Sequence, residues 1–178
     1  FLVREFHHKS MAKHVGAGIE SPKDLEGHRV GVSRGYTVTT GVWARTILAD
    51  QYGVDLDMVT WARSDDEHVA EYARPANVEE LGGDGTLEDQ VARGDVPAAV
   101  GMPGKGDGLA PLIDNAFDVG RDAFRTNGFY PINHLVVMRR DVFDAHPGLA
   151  VQLFDAFSAS HPLYLNHLRP GQKTELSP

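Results

Sequence analysis

The stretch from Glu20 to Leu48, ESPKDLEGHRVGVSRGYTVTTGVWARTIL, constrains the fold most, because it packs a helical turn, a strand, a loop and a helix into one run. Ser21 suits an N-cap, Pro22 a first helical position, and Gly27 closes the turn. His28 to Val32 has the apolar content of a short buried strand, and Ser33 to Thr40 is a polar loop running into a helix. The first N–H groups of such a helix have no partner within it, so its start attracts anions, carboxylates among them. The same pattern also makes an ordinary strand-to-helix turn in any α/β protein.

Around that stretch, strands and helices alternate. Phe1 to Val15 has the alternation of one or two strands. A helix is expected from about Thr40 to Tyr52, with Trp43, Ile47 and Leu48 on one face and Gly53 as its stop. Met58 to Trp61 reads as a strand, Arg63 to Gly85 as an excursion with little helix, and Thr86 to Gly94 as a capped short helix. VPAAV (Val96 to Val100) suits a buried strand, Ala110 to Phe117 a helix, and HLVVM the strongest strand of the second half. Asp141 caps a brief helical turn, and Pro147 opens a longer helix whose Leu149, Leu153, Phe154 and Phe157 are expected to pack on the core. His161-Pro162 should bend or interrupt it. The alternation indicates an α/β architecture with a mainly parallel sheet.

Composition closes off several functions. A net charge of −8, with no cluster of Lys and Arg interleaved with aromatics, argues against nucleic acid as a partner. No apolar run approaches the ~20 residues of a membrane helix, so no membrane insertion is expected. The chain has no Cys, which removes disulfides, thiolate nucleophiles and Cys-ligated metals. In GMPGKGDG the Lys105 is not followed by Ser or Thr, so this is a flexible loop and not a phosphate-binding loop. The spacing of His7, His8 and His14 matches no compact ligand motif, and no metal is expected.

Five pieces in this order resemble the 4,5-dihydroxyphthalate decarboxylase family: REFHHKS, ESPKDLEGHRVGV, YTVTTGVWARTIL, TLEDQVARGDVPAAV and YPINHLVVMRRDVFDAHPGLA. SPKDLEGHRVGV alone is shared by many solute-binding proteins; its combination with VWAR and YPINHLVVMRR is more specific. The resemblance implies a bilobal type II periplasmic-binding-protein-like fold with one lobe incomplete in this chain, because family members carry a further segment before the position of Phe1. Residues 18–102 would form one lobe, residues 1–17 and 117–178 part of the other, and 103–116 the connection. Two departures stand out: Ser33-Arg34-Gly35 is one residue longer than the family's usual Pro-Glu, and His7 stands where Arg is typical.

The implied activity is decarboxylation of a hydroxylated aromatic dicarboxylate, in the cytoplasm and without a cofactor. Ring hydroxyls allow the ring carbon to be protonated before carbon dioxide leaves, so neither pyridoxal phosphate nor thiamine is obligatory. The protein must supply a general acid, cations for the retained carboxylate and a dry pocket. His134 is the first choice for the acid, since it follows Tyr130-Pro131 where a turn feeds a strand and its ring titrates near neutral pH. A His hydrogen-bonded to backbone would look the same. His8 is the second choice, and Asn133 is assigned to substrate binding. Tyr36, Thr39 and Thr40 are candidates to hold a carboxylate, although Thr39 or Thr40 also suits a plain N-cap. Arg4 and Arg34 are candidate clamps because a guanidinium binds both carboxylate oxygens. Asp65, Asp66 and Glu67 read as a solvated acidic run with no acid/base role, and Trp43 as core. A solute receptor for a small organic anion, periplasmic or extracytoplasmic and serving a transporter or sensor, would use the same fold. A homo-oligomer is compatible with either.

Overall fold

The computed structural model describes residues 3–69, 71–128 and 130–167. It comprises two compact units, residues 1–135 and 136–178. In chain order the first contains β1 (Val3–Arg4), a 3₁₀ turn at His7–Lys9, β2 (Met11–His14), a 3₁₀ turn at Pro22–Leu25, β3 (Arg29–Val32) and α1 (Thr39–Tyr52). A 3₁₀ turn at Leu56–Met58, β4 (Thr60–Arg63), β5 (Val78–Glu80), α2 (Leu87–Arg93), β6 (Ala98–Val100), β7 (Leu109–Pro111), α3 (Ala116–Asn127) and β8 (Ile132–His134) follow. The second unit holds α4 (Arg140–Ala145) and α5 (Leu149–His167).

Six strands form one sheet in the order β5-β4-β3-β6-β2-β7. The pairs β5–β4, β4–β3 and β3–β6 are parallel, whereas β2 runs antiparallel to both β6 and β7. The fold is therefore mixed α/β. A separate two-stranded pair joins β1 to β8, with Val3 opposite His134. Among the described residues, no helix is long and apolar enough to cross a membrane.

Alternation along β3 builds two apolar layers. Val30 and Val32 face a core that also holds Trp61, Leu25, Ile47 and Leu48, so α1 covers that side. Gly31 faces the other layer, where Leu87, Val91, Val96 and Ala99 pack. A Cβ on Gly31 would lie 2.3 Å from Leu87 Cδ1 and 3.2 Å from Ala99 Cβ, so the close approach of α2 requires glycine there. Trp61 is fully buried, and its indole N–H donates to the Leu56 carbonyl at 3.1 Å.

Local signals place the element ends. The Asp24 carboxylate accepts from the Ser21 N–H at 2.7 Å and the Glu20 N–H at 3.0 Å, fixing the turn before β3. Thr86 and Asp89 form a reciprocal capping box on α2, and Gly94 ends it at φ 81°.

Several expectations are corrected. His8 lies in the 3₁₀ turn between two strands, not on a strand, because both His7 and His8 are turned inward and buried. The excursion from Arg63 to Gly85 contributes β5, which extends the sheet through Leu81 N–H donating to Arg63 O at 2.8 Å. Ala110 to Phe117 is mostly strand β7 and turn; the helix starts at Ala116 and runs to Asn127. Of HLVVM (His134 to Met138), only His134 is strand, as the last residue of β8; Leu135, Val136 and Val137 are exposed and lie outside any strand among the described residues. On α5, Phe154 and Phe157 are exposed and Leu149 and Leu153 only partly buried, and none of the four belongs to a buried core cluster among the described residues. Pro162 sits inside α5 without ending it; the surrounding helix is open to water, which can solvate the carbonyl that loses its donor.

Candidate functional site

The loop between β3 and α1 is shaped by two backbone features. Arg34 adopts φ 68°, unusual for a residue with a Cβ, and its N–H donates to Ser64 Oγ at 2.8 Å. Gly35 follows, and a Cβ there would meet Asp66 O at 2.7 Å and Glu67 Oε2 at 2.9 Å. The segment 65–67 therefore lies directly on Gly35. This contact turns the next two N–H groups toward Glu67.

The Glu67 carboxylate occupies that cradle. Its Oε1 accepts from the Tyr36 N–H at 2.7 Å, and its Oε2 accepts from the Thr37 N–H at 2.9 Å and the Thr37 hydroxyl at 2.6 Å. Partial burial alone would push the Glu67 pKa up, but the three hydrogen bonds, helped by the Arg63 charge, bring it below the ordinary glutamate value. Consecutive N–H groups converging on one carboxylate make an anion site of the backbone itself.

Beneath the loop lies Arg45, only 6% exposed. Its guanidinium carbon is 3.6 Å from the centroid of the Tyr36 ring, and its Nη2 donates to the Tyr36 carbonyl at 2.6 Å. Its Nη1 is buried without a hydrogen-bond partner. Burial lowers the Arg45 pKa, while Tyr36, Tyr72 and Glu67 pull it back up. Burial also raises the Tyr36 phenol, against the Arg45 charge.

A second polar cluster is built on the turn His7–Lys9. His7 is fully buried, its ring parallel to Trp43 at 6.3 Å between centroids, and its Nε2–H donates to Asn133 Oδ1 at 2.8 Å. That bond leaves the lone pair on Nδ1, which is buried without a hydrogen bond and lies 4.0 Å from Glu5 Oε1. His8 is 3% exposed; its Nε2–H donates to Gln51 Oε1 at 2.8 Å, and its Nδ1 is also unpartnered. A Cβ on Gly120 would stand 2.9 Å from that Nδ1, so α3 seals it. Burial is the main reason that both histidines titrate below the ordinary value, against the Asn133 and Gln51 hydrogen bonds that favour the charged form.

The candidates read from the sequence are distributed as follows. Tyr36 belongs to the cradle, with its ring half-buried. Thr39 and Thr40 open α1 behind an N-cap at Val38, so neither is the N-cap, and the carboxylate contacts fall on Tyr36 and Thr37. Arg34 is exposed on the same loop. Asn133 is paired with His7, whereas His134, its neighbour on β8, is exposed and makes no side-chain hydrogen bond among the described residues. The backbone of Arg4 lies in β1, and its side chain lies outside the described residues. Among the described residues, no three His, Asp or Glu side chains are grouped to hold a metal ion.

No known protein-family profile matches the chain. It is 27% identical over 196 aligned positions to a 4,5-dihydroxyphthalate decarboxylase of Comamonas testosteroni, an alignment covering 99% of this chain and 57% of that protein. It is 34% identical over 108 positions to a 4,5-dihydroxyphthalate decarboxylase of Pseudomonas putida, covering 57% of this chain and 42% of that protein. The chain is a relative of the 4,5-dihydroxyphthalate decarboxylases. It spans about half the length of the two relatives.

Four residues of these two clusters are not evident from the sequence. Thr37 stands beside Tyr36 in YTVTT and supplies the hydroxyl that Thr39 or Thr40 was expected to supply. Glu67 was read as a solvated charge, because nothing local ties it to a loop 30 residues away. Arg45 did leave a signal: with Gly41 and Leu48 it falls on the buried face of α1, where a charge is out of place. His7, read only as a departure from Arg, is the most enclosed titratable group of its cluster.

Proposed function

We propose that this chain carries the carboxylate-holding part of a decarboxylase acting on a hydroxylated aromatic dicarboxylate of the 4,5-dihydroxyphthalate type. The observation that carries the proposal is the Tyr36–Thr37 cradle, which already binds a carboxylate through two N–H groups and a hydroxyl. The two similar decarboxylases supply the substrate class. The fold assigned to this reading is the bilobal type II periplasmic-binding-protein type.

The reaction needs a carboxylate held still, a proton delivered to the ring carbon that bears the departing carboxylate, and exclusion of water. In this reading one substrate carboxylate takes the cradle. The ring hydroxyls push electron density into the ring, the ring carbon accepts a proton from His134, the bond to the carboxylate breaks, and its electron pair restores the aromatic ring as carbon dioxide leaves. No cofactor is required for that electron flow. His134 suits the acid role better than His8, since burial favours the neutral form of His8 and a neutral imidazole has no second proton to give. Asn133 and the exposed Arg34 are assigned to the substrate, together with Arg4, Thr39 and Thr40.

Full-length protein incubated with 4,5-dihydroxyphthalate should release carbon dioxide. His134→Ala should lower kcat by about a hundredfold or more, the usual contribution of a general acid. No release by wild type, or undiminished release by His134→Ala, refutes the assignment. A receptor that binds an organic anion and returns it unchanged is the second reading, favoured by the fact that the cradle is binding geometry alone; tight binding without carbon dioxide would establish it.

A further inference from the structure

We propose that Glu67 is an internal occupant of the Tyr36–Thr37 carboxylate site, and that an aromatic acid binds by exchanging its own carboxylate for that of Glu67. The inference rests on the reading of the cradle as a carboxylate site and adds how that site is regulated. Every donor of the cradle is engaged by Glu67: both N–H groups and the Thr37 hydroxyl. A ligand carboxylate can reach them only if Glu67 leaves.

Three features make exchange inexpensive. The Glu67 side chain is half-exposed, so on leaving it returns to water and does not strand a buried charge. The donors lost to Glu67 are regained by a group of the same geometry and charge, so the hydrogen-bond count is conserved. The segment that carries Glu67 is tethered independently: Arg63 Nη1 donates to Asp65 O at 2.5 Å and to Asp66 Oδ1 at 3.0 Å, so the side chain can swing out while the backbone stays.

The site also holds more positive potential than Glu67 consumes. Arg45 is more than nine-tenths buried under the loop, its charge interacts with that of Glu67, and its Nη1 has no acceptor. Glu67 bonds to none of its nitrogens; its contacts are with Tyr36 and Thr37. A dicarboxylate brings a second negative group that the single Glu67 carboxylate lacks. Such a ligand can outcompete the internal occupant, whereas a simple monocarboxylate exchanges one for one.

Apparent affinity then equals intrinsic affinity reduced by the fraction of molecules with Glu67 out. The test uses the full-length protein and phthalate, a dicarboxylate without the ring hydroxyls that decarboxylation requires, so its outcome is independent of turnover. Calorimetry should show phthalate binding about tenfold or more tightly to Glu67→Gln and Glu67→Ala than to wild type. In wild type, saturating phthalate should shift the Tyr36 and Thr37 amide resonances and return the Glu67 carboxyl titration toward the ordinary glutamate value. The wild-type measurement stands even if a variant folds poorly. Unchanged or weaker binding by folded variants overturns the proposal, as does phthalate binding that leaves the Tyr36 and Thr37 amides and the Glu67 titration unmoved. Absence of phthalate binding by all three proteins overturns it too, because an emptied cradle would then hold no carboxylate.

Discussion

Acidification should destabilise this protein through His7 and His8, and the amount can be worked out. Both are buried, and burial is the largest cause of pKa values below the ordinary 6.5. In the unfolded chain each histidine takes up a proton as the pH falls through 6.5; in the folded chain each resists until the pH is lower. The unfolded state therefore binds more protons, and stability falls with pH. The window opens near 6.5 and closes where the folded groups protonate. Between about pH 7.5 and about pH 5.5 each histidine can contribute at most about 1.4 kcal/mol, so the pair contributes up to about 2.7 kcal/mol. Urea unfolding across that range measures it, with His7→Gln and His8→Gln each removing its own share of the slope. Equal pH dependence in wild type and both variants would refute the reasoning, because the two rings would then titrate alike in folded and unfolded chains. The result also bears on catalysis, since a His8 that stays neutral in the fold is a poor proton donor at neutral pH.

Gly31→Ala should cost roughly 1–3 kcal/mol by overpacking, because its Cβ meets Leu87 Cδ1 at 2.3 Å. The urea midpoint reads this, and an unchanged midpoint would mean that α2 does not press on β3 as described. Trp61→Ala should cost about 3–5 kcal/mol, since a fully buried ring leaves a cavity and the Leu56 carbonyl loses its donor. A loss below about 1 kcal/mol in the same assay would contradict the burial.

Turns and caps were legible because their chemistry is local. Ser21, Pro22 and Gly27 bounded one turn, and Thr86 and Gly94 bounded α2, each within a few residues of its partners. Strands β5 and β7 were not legible: VEE and LAP are too short and too mixed to show a period, and they exist because neighbouring strands offer an edge. The HLVVM run misled in the opposite direction, since strand propensity without a partner left Leu135 to Val137 outside any sheet. At the site, the anion character of the loop before α1 was readable from its position after a strand. Its centre lies three residues earlier, at Tyr36-Thr37 instead of Thr39-Thr40, because the helix is capped by Val38 and the positive φ of Arg34 turns earlier N–H groups outward. The pairings of Glu67 with that loop and of His7 with Asn133 join residues 30 and 126 positions apart, which no local pattern encodes.

The most direct measurement is a crystal structure of the full-length protein soaked with phthalate. The account predicts a ligand carboxylate within about 2.7–3.1 Å of the Tyr36 and Thr37 nitrogens, with the Glu67 side chain turned out to solvent. Phthalate bound elsewhere, with Glu67 still holding both N–H groups, would contradict it.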